Sequence, residues 1–217
     1  MTEMMMLIDP SRCTGCRGCQ VACKQWHNLP AVATTFTGDY QNPPDFDGNT
    51  LALVRYEEHP QDGFAVAWLM THDKCRHCAE PACRDELPPG TVHIDPSGAV
   101  IFTDQAQAEL EHVRESCPFA VPGRNEQTGA IVKCRLCVDR TVDGLEPACA
   151  KTCPTGAITW GELPTMMQTA RDRCAQLKQQ GRYRREKIRL FPDEVFVSHV
   201  RWIVLDDPDK HGLRGDF

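Results

Sequence analysis

Residues 13–23 read CTGCRGCQVAC. Cysteines recur at every third position, at 13, 16 and 19, and a fourth follows at 23. Three thiols spaced C-x2-C-x2-C bend the backbone into one tight wrap. They converge on a single body, while main-chain N–H groups turn inward toward its sulfurs. The next cysteine points away from that wrap and is available to a second body.

The chain has 217 residues, of which 41% are hydrophobic and 7% aromatic, so it is globular with few large core side chains. Thirteen cysteines are far above ordinary usage and must supply part of the cohesion. A disulfide framework belongs to short secreted chains, and the opening MTEMMMLIDPSRC carries neither a basic region nor a sustained apolar run of a signal peptide. No apolar stretch approaches the ~18 residues of a membrane span. The net charge of −6 argues against nucleic acid as a partner. No glycine-rich phosphate loop and no nucleophile–base motif occur, so no catalytic residue is assigned and the cysteines are the only chemistry in view.

Those cysteines fall in blocks. After Cys13, Cys16, Cys19 and Cys23 comes a cysteine-free insert with the turn-rich GDYQNPPDFDGN. CRHCAEPAC follows with Cys75, Cys78 and Cys83, then Cys117 in SCPFAVPG, then Cys134, Cys137, Cys149 and Cys153. The first block matches the bacterial ferredoxin run C-x2-C-x2-C-x3-C. Cys149 and Cys153 in ACAKTCP match its ending, and Cys134 and Cys137 match its start, with the usual gap stretched to eleven residues. The alternative is structural zinc, drawn as Cys134/Cys137 with Cys149/Cys153. It leaves unexplained a three-thiolate wrap with an offset fourth ligand and two Cys-Pro endings.

If each fourth cysteine serves the neighbouring cluster, cluster A takes Cys13, Cys16, Cys19 and Cys153. Cluster B takes Cys23, Cys134, Cys137 and Cys149. Cluster C takes Cys75, Cys78, Cys83 and Cys117. Twelve cysteines then hold three 4Fe-4S clusters. In CRHCAEPACRDELPPG, residues 75–90, Leu87 stands where a fourth cysteine would precede proline. Laid over the segment ending at Cys117, the same template puts its first three ligands on Gln107, Leu110 and Val113. All four ligands of one cluster are therefore missing together, which is the mark of a cluster deleted as a unit. Its first three positions are expected in a polar helical stretch over 104–116.

The remaining pattern gives a coarse map. TVHIDPSGAVIF reads as a β-hairpin, AVAWLM at 65–70 and AITWG at 157–161 as strands, about 165–180 as a helix, and 195–205 as a last strand. Cys174 shares a helical face with Met167, Ala170 and Leu177 and reads as a small buried thiol. Lys24, Arg76, Lys133 and Arg135 adjoin ligand cysteines and are candidates for raising cluster potentials. His27 and His77 stand near ligands but read as packing residues, as do Trp26, Trp68, Trp160 and Trp202.

The four-block layout resembles the ferredoxin-like electron-transfer subunits of molybdenum and tungsten oxidoreductases. RCTGCRGCQVACKQWHNLPA, TGDYQNPPDF, CRHCAEPAC, SCPFAVP and LEPACAKTCPTGAITWG are similar to the small (beta) subunit of soluble formate dehydrogenases. CKQWHNLPA and QNPPDF point to that branch. The resemblance implies an α+β fold of two ferredoxin-like halves. Residues 1–30 with 125–161 would hold two clusters and 68–124 one, while the insert 31–67 and the C-terminal extension 162–217 would meet a partner. It implies a non-catalytic subunit of a heterodimer whose large chain carries a bis-pterin molybdenum or tungsten site. The acceptor would be soluble, such as a multihaem cytochrome c, because the cluster missing here is the one that faces a membrane haem subunit in relatives. It further implies periplasmic location by co-export with the partner, where the sequence alone would read as cytoplasmic. The same conduit serving another molybdopterin oxidoreductase or a hydrogenase is the second reading, and a zinc-stapled scaffold the third.

Overall fold

A computed structural model describes residues 2–60 and 65–215. The chain opens with β1 (Met4–Ile8), wraps through the first cysteines and enters helix α1 (Gly18–Trp26). Strands β2 (Ala52–Pro60) and β3 (Val66–Lys74) form an antiparallel hairpin that ends at the Cys75 loop. Next come the short hairpin β4 (Val92–Ile94) and β5 (Val100–Phe102), helix α2 (Leu110–Glu115), and the two-residue strands β6 (Gly123–Arg124) and β7 (Ile131–Val132). Two single-turn helices, α3 (Val138–Thr141) and α4 (Ala148–Lys151), carry the third cysteine block. The chain closes with β8 (Ile158–Glu162), the long helix α5 (Leu163–Gln180), β9 (Arg189–Phe191) and β10 (Val200–Val204). The α+β class expected from the sequence is what forms.

The central sheet runs β8-β1-β10-β9, with β1 antiparallel to β8 and parallel to β10. Its middle strands are covered on both faces, which is why MMMLI and VRWIV are nearly unbroken apolar runs rather than alternating ones. Side chains on a strand alternate between faces. Met5 and Leu7 therefore meet Met166, Ala170, Cys174 and Leu177 of α5 with Ile203, while Met6 and Ile8 meet Val200, Trp202 and the cysteine-bearing side. One sheet thus separates a helix layer from a sulfur layer. No helix among the described residues is long and apolar enough to cross a membrane.

The hairpin around Asp95–Gly98, the strand at 157–161 and the helix after 162 form as the sequence predicts, with α5 beginning at Leu163. Two expectations need correction. The helix over 104–116 shrinks to Leu110–Glu115, because carbonyls that would continue it are taken elsewhere. Ala106 O accepts from Ile131 N at 2.6 Å and Ala108 O from Arg124 Nη2 at 2.9 Å. The strand near 195–205 shrinks to Val200–Val204. Before it, Asp193 Oδ1 accepts from Val195 N and Phe196 N, both at 3.1 Å, making a turn. Residues 197–200 then pair with the Cys75 loop through Ala79 N to Val197 O, His199 N to His77 O and Val200 N to Arg76 O. The extension's last strand is thereby built into the body, with β10 fully buried beside β1.

Candidate cluster-binding site

Three of the four C-x2-C loops turn on a left-handed residue just before their second cysteine. These are Gly15 (φ 66°), His77 (φ 51°) and Leu136 (φ 51°). Successive N–H groups on such a turn face one side and make a concavity for anions. The amides of His77 and Leu136 donate to Cys75 Sγ and Cys134 Sγ, both at 3.4 Å. His77 and Leu136 hold a conformation that side chains disfavour. After Cys117-Pro118 and Cys153-Pro154 the chain makes the same turn twice, with Ala120 (φ 49°) and Gly156 (φ 63°) left-handed. Their amides donate to the carbonyls of Cys117 (2.8 Å) and Cys153 (3.3 Å).

The twelve cysteines of the three blocks gather into three neighbourhoods. Cys13 lies beside Cys16 and Cys153, and Cys19 beside Cys13 and Cys153. Cys23 lies beside Cys134, Cys137 and Cys149. Cys78 lies beside Cys75, Cys83 and Cys117. Charge on Cys149 acts on Cys19 and charge on Cys134 on Cys75, and all four lie in one buried cluster, so the middle group neighbours both others. Cys174 stands apart on the far face of the sheet, where burial pushes its thiol up to about 11.

Burial, reinforced by neighbouring sulfurs, raises the thiols of Cys83 and Cys137 to about 12. Packed this way, bare thiols would keep their protons. A metal cluster that displaces the protons and spreads the charge suits the donor set. Among the described residues no three cysteine, histidine or acidic side chains close tightly enough to hold a single metal ion. An all-thiol set, inward amides and buried cations facing sulfur fit an iron–sulfur cluster.

The cations are the part that sequence reasoning only half found. Lys74 is 1% exposed, and its Nζ reaches Met6 Sδ at 3.5 Å and Cys149 Sγ at 4.0 Å. Burial alone would lower its pKa, but the facing sulfurs of Cys134, Cys149 and Cys137 outweigh that and raise it. Lys133 is also buried, its Nζ donating to Val100 O (2.5 Å) and Cys134 O (3.2 Å) and lying 4.7 Å from the Phe102 ring centre. Of the other basic candidates, Lys24 caps carbonyls of Pro30 and Asn49, and Arg135 is exposed. Arg76 is spent on Asp73 (2.6 Å) and stacks on Phe119 and Trp202. Lys74 was missed, although Lys-Cys-Arg-x-Cys occurs twice and could have flagged it. His27 approaches Cys137 Sγ at 3.6 Å, and buried His77 accepts from Val100 N at 2.9 Å.

The four template positions that carry no cysteine are placed as well. Leu87 and Val113 are buried in one apolar cluster with Val100, Phe102, Ala106, Ile131 and Cys83, and Leu110 packs against it. Gln107 alone stays outside, exposed, with Nε2 donating to Thr128 O at 3.4 Å. The expectation of a polar stretch is corrected: apolar side chains fill this place.

Comparison with known proteins agrees with this chemistry. A 4Fe-4S binding domain matches residues 4–25, and a 4Fe-4S dicluster domain matches residues 66–163. Formate dehydrogenase subunit beta of Megalodesulfovibrio gigas is 44% identical over 177 residues, covering 79% of this chain and 82% of that one. Formate dehydrogenase 2 subunit beta (cytochrome c-553) of Nitratidesulfovibrio vulgaris is 42% identical over 180 residues, with the same coverage. The iron-sulfur subunit of the nitrate-inducible formate dehydrogenase of Escherichia coli is 37% identical over 218 residues, covering 99% of this chain and 73% of its own. Thiols in ferredoxin spacing, buried cations facing them and these relatives lead to one family. The chain belongs to the iron–sulfur (beta) subunits of formate dehydrogenases, non-catalytic electron-transfer subunits that bind 4Fe-4S clusters.

Proposed function

We propose that the chain holds three clusters: A on Cys13, Cys16, Cys19 and Cys153, B on Cys23, Cys134, Cys137 and Cys149, and C on Cys75, Cys78, Cys83 and Cys117. It conducts electrons between a molybdenum or tungsten catalytic subunit and an external acceptor. The observation that supports this is the arrangement of the thiols into three sets, the second sharing one buried cluster with members of both others. Such clusters gain and lose single electrons when bound. The protein's own contribution is to fix spacing, exclude water and supply amides and cations around the sulfurs. Cys16 is exposed, and the Tyr56 hydroxyl beside it donates to Gly15 O while Arg17 lies 4.6 Å over the Tyr56 ring. The first neighbourhood is therefore close to solvent and suits contact with a partner.

A cytochrome c is the acceptor class we assign, supported by the name of the Nitratidesulfovibrio relative and by the acidic net charge of −6, which favours encounter with a basic protein. Export together with a partner subunit would put the pair in the periplasm. The insert 31–67 and the exposed parts of 162–217 are the surfaces we assign to the partner.

The test is anaerobic capture of the native complex through a tag on this chain, with formate-dependent viologen reduction and iron analysis. Activity with a co-purified large subunit and about twelve irons per chain, as three four-iron clusters require, is the expected result. About eight irons would overturn the count of three. Iron without formate activity would overturn the assignment of the partner. Zinc in place of iron would overturn the conduit itself.

A further inference from the structure

Lys-Cys-Arg-x-Cys occurs at residues 74–78 and again at 133–137. Chain order puts Lys74 beside the Cys75 group and Lys133 beside the Cys134 group. The fold exchanges them. Lys74 Nζ lies 4.0 Å from Cys149 Sγ and against Cys134 and Cys137, all of the middle group. Lys133 Nζ donates to Val100 O and faces the Phe102 ring, both packed in one cluster with Cys83 and Cys117 of the third, and its charge acts on Cys75, Cys78 and Cys83.

Both ammonium groups are almost wholly buried, at 1% and 3% exposure. Neither meets a carboxylate. Lys74 finds only sulfur, and Lys133 finds two carbonyls and the face of Phe102. A buried cation without an anion is strongly disfavoured, so the negative charge that balances each one comes from the sulfur group it faces. A compact ammonium acts as a point charge. In a low-dielectric interior such a charge stabilises an added electron far more than it would in water. The corresponding residue before Cys13 is Arg12, which is half exposed and paired with Asp9 at 3.5 Å, so the first group has no counterpart.

We propose that Lys74 raises the reduction potential of cluster B and Lys133 that of cluster C, each acting on the cluster that its adjacent cysteine does not bind. The inference rests on the three-cluster reading above. Because the lysines cross, each half of the molecule sets the potential of the other's cluster, and B and C are favoured over A as electron sites. The direction of the gradient is then written into two side chains.

The test uses the intact heterodimer, poised chemically and titrated by electron paramagnetic resonance, with iron measured on every sample. Cys137→Ser and Cys83→Ser assign the B and C signals. Lys74→Met is expected to lower the midpoint of B by at least a tenfold change in its reduced-to-oxidised ratio, about 59 mV for a one-electron couple, and to leave C in place. Lys133→Met is expected to do the converse, and arginine at either position to restore most of the shift. A shift of C by Lys74→Met, or no shift with iron intact, overturns the proposal. Where methionine lowers the iron content, glutamine keeps a hydrogen-bond donor without charge. An unchanged midpoint in Lys74→Gln, or loss of iron there too, leaves the lysine a structural part and equally overturns it. Wild-type complex without signals from three clusters would instead overturn the reading beneath.

Discussion

Around Cys149 the thiols border the main apolar core, with Met6, Leu53, Leu136, Ile158 and Trp202, whereas around Cys83 they border a separate, compact apolar nucleus. Helix α1 buries Cys19, Gln20 and Cys23, α3 buries nothing, and α4 buries Ala148, Cys149 and Ala150. The second half instead packs Leu87, Val100, Phe102, Ala106, Val113 and Ile131 together. Both halves use the same Cys-Pro turn and the same Lys-Cys-Arg-x-Cys loop. Leu87, Val113 and Leu110, at template positions that carry no cysteine, lie in or against that nucleus, so apolar side chains occupy their place.

The largest effect expected from this contrast is in the response to losing a ligand. Cys137→Ser removes a thiol from the middle group, which shares α1 with the first group through Cys19 and Cys23. We expect it to lose about eight of the roughly twelve irons that three four-iron clusters contain, and to open residues 134–153 to limited proteolysis. Cys83→Ser is expected to lose about four and leave the chain protected. Equal iron loss in the two variants would show that the apolar nucleus does not support its half.

That nucleus can be tested directly. Leu87→Ala leaves a cavity in a site with 6% exposure and is expected to lower stability by about 3 kcal/mol, read as a fall in the melting temperature of the loaded complex with all iron retained. A change below about 1 kcal/mol would mean that the nucleus packs loosely and that cluster C alone holds this half.

Much of this was legible from spacing. Cysteines at intervals of three, the offset fourth and the Cys-Pro endings define local wraps, and local geometry is what sequence encodes most directly. The same template identified Leu87, Gln107, Leu110 and Val113 as a set, though their conversion into a core was not foreseen, because Gln107 and the acidic residues nearby dominate the pattern. Partnerships at a distance stayed hidden. The apolar run near 195–205 marks β10 as a strand, but β1 went unread, and nothing in either segment says that Met6 faces Val200 across the chain's whole length. The helix over 104–116 was overread because its propensity is good, while the carbonyls of Ala106 and Ala108 are claimed by a segment some twenty residues later. Lys74 is absent from the basic residues singled out by sequence, and adjacency alone would have placed its charge on the Cys75 group rather than on Cys149.

A third prediction concerns the scaffold that joins the halves. His211 Nε2 accepts from Leu205 N at 2.9 Å and Asp206 N at 3.3 Å, and Nδ1 meets Thr71 Oγ1 of β3 at 2.9 Å. Only the neutral ring satisfies this, and burial lowers its pKa to about 4. The unfolded chain takes up the proton near pH 6.5, so the stabilisation is complete above that and is lost as pH falls from about 6.5 toward 4. At pH 5 the loss is about 2 kcal/mol. His211→Gln should flatten the fall in melting temperature between pH 7 and pH 5 relative to wild type. Because His211 belongs to neither sulfur layer, both halves should weaken together. Selective loss of iron from one of them would place the acid sensitivity in the clusters instead.

The smallest effect compares the two Cys-Pro turns residue against residue. Ala120 and Gly156 occupy the same left-handed position, each donating its amide back to the cysteine carbonyl three residues earlier. A side chain in that conformation costs roughly 1 kcal/mol, and the half with its own apolar nucleus tolerates it. Ala120→Gly is therefore expected to be neutral or to gain up to about 1 kcal/mol, since the relief of strain is partly offset by the added freedom of the unfolded chain. Gly156→Ala meets open space, with Arg12 Nη1 the nearest atom at 3.9 Å. Its whole effect is conformational and should be a loss of about 1 kcal/mol. Melting curves of the two variants would thus move in opposite directions or leave Ala120→Gly unmoved. A loss in Ala120→Gly would mean that the Ala120 methyl makes contacts worth more than its strain, and that the two turns, alike in backbone, are held in place by different forces.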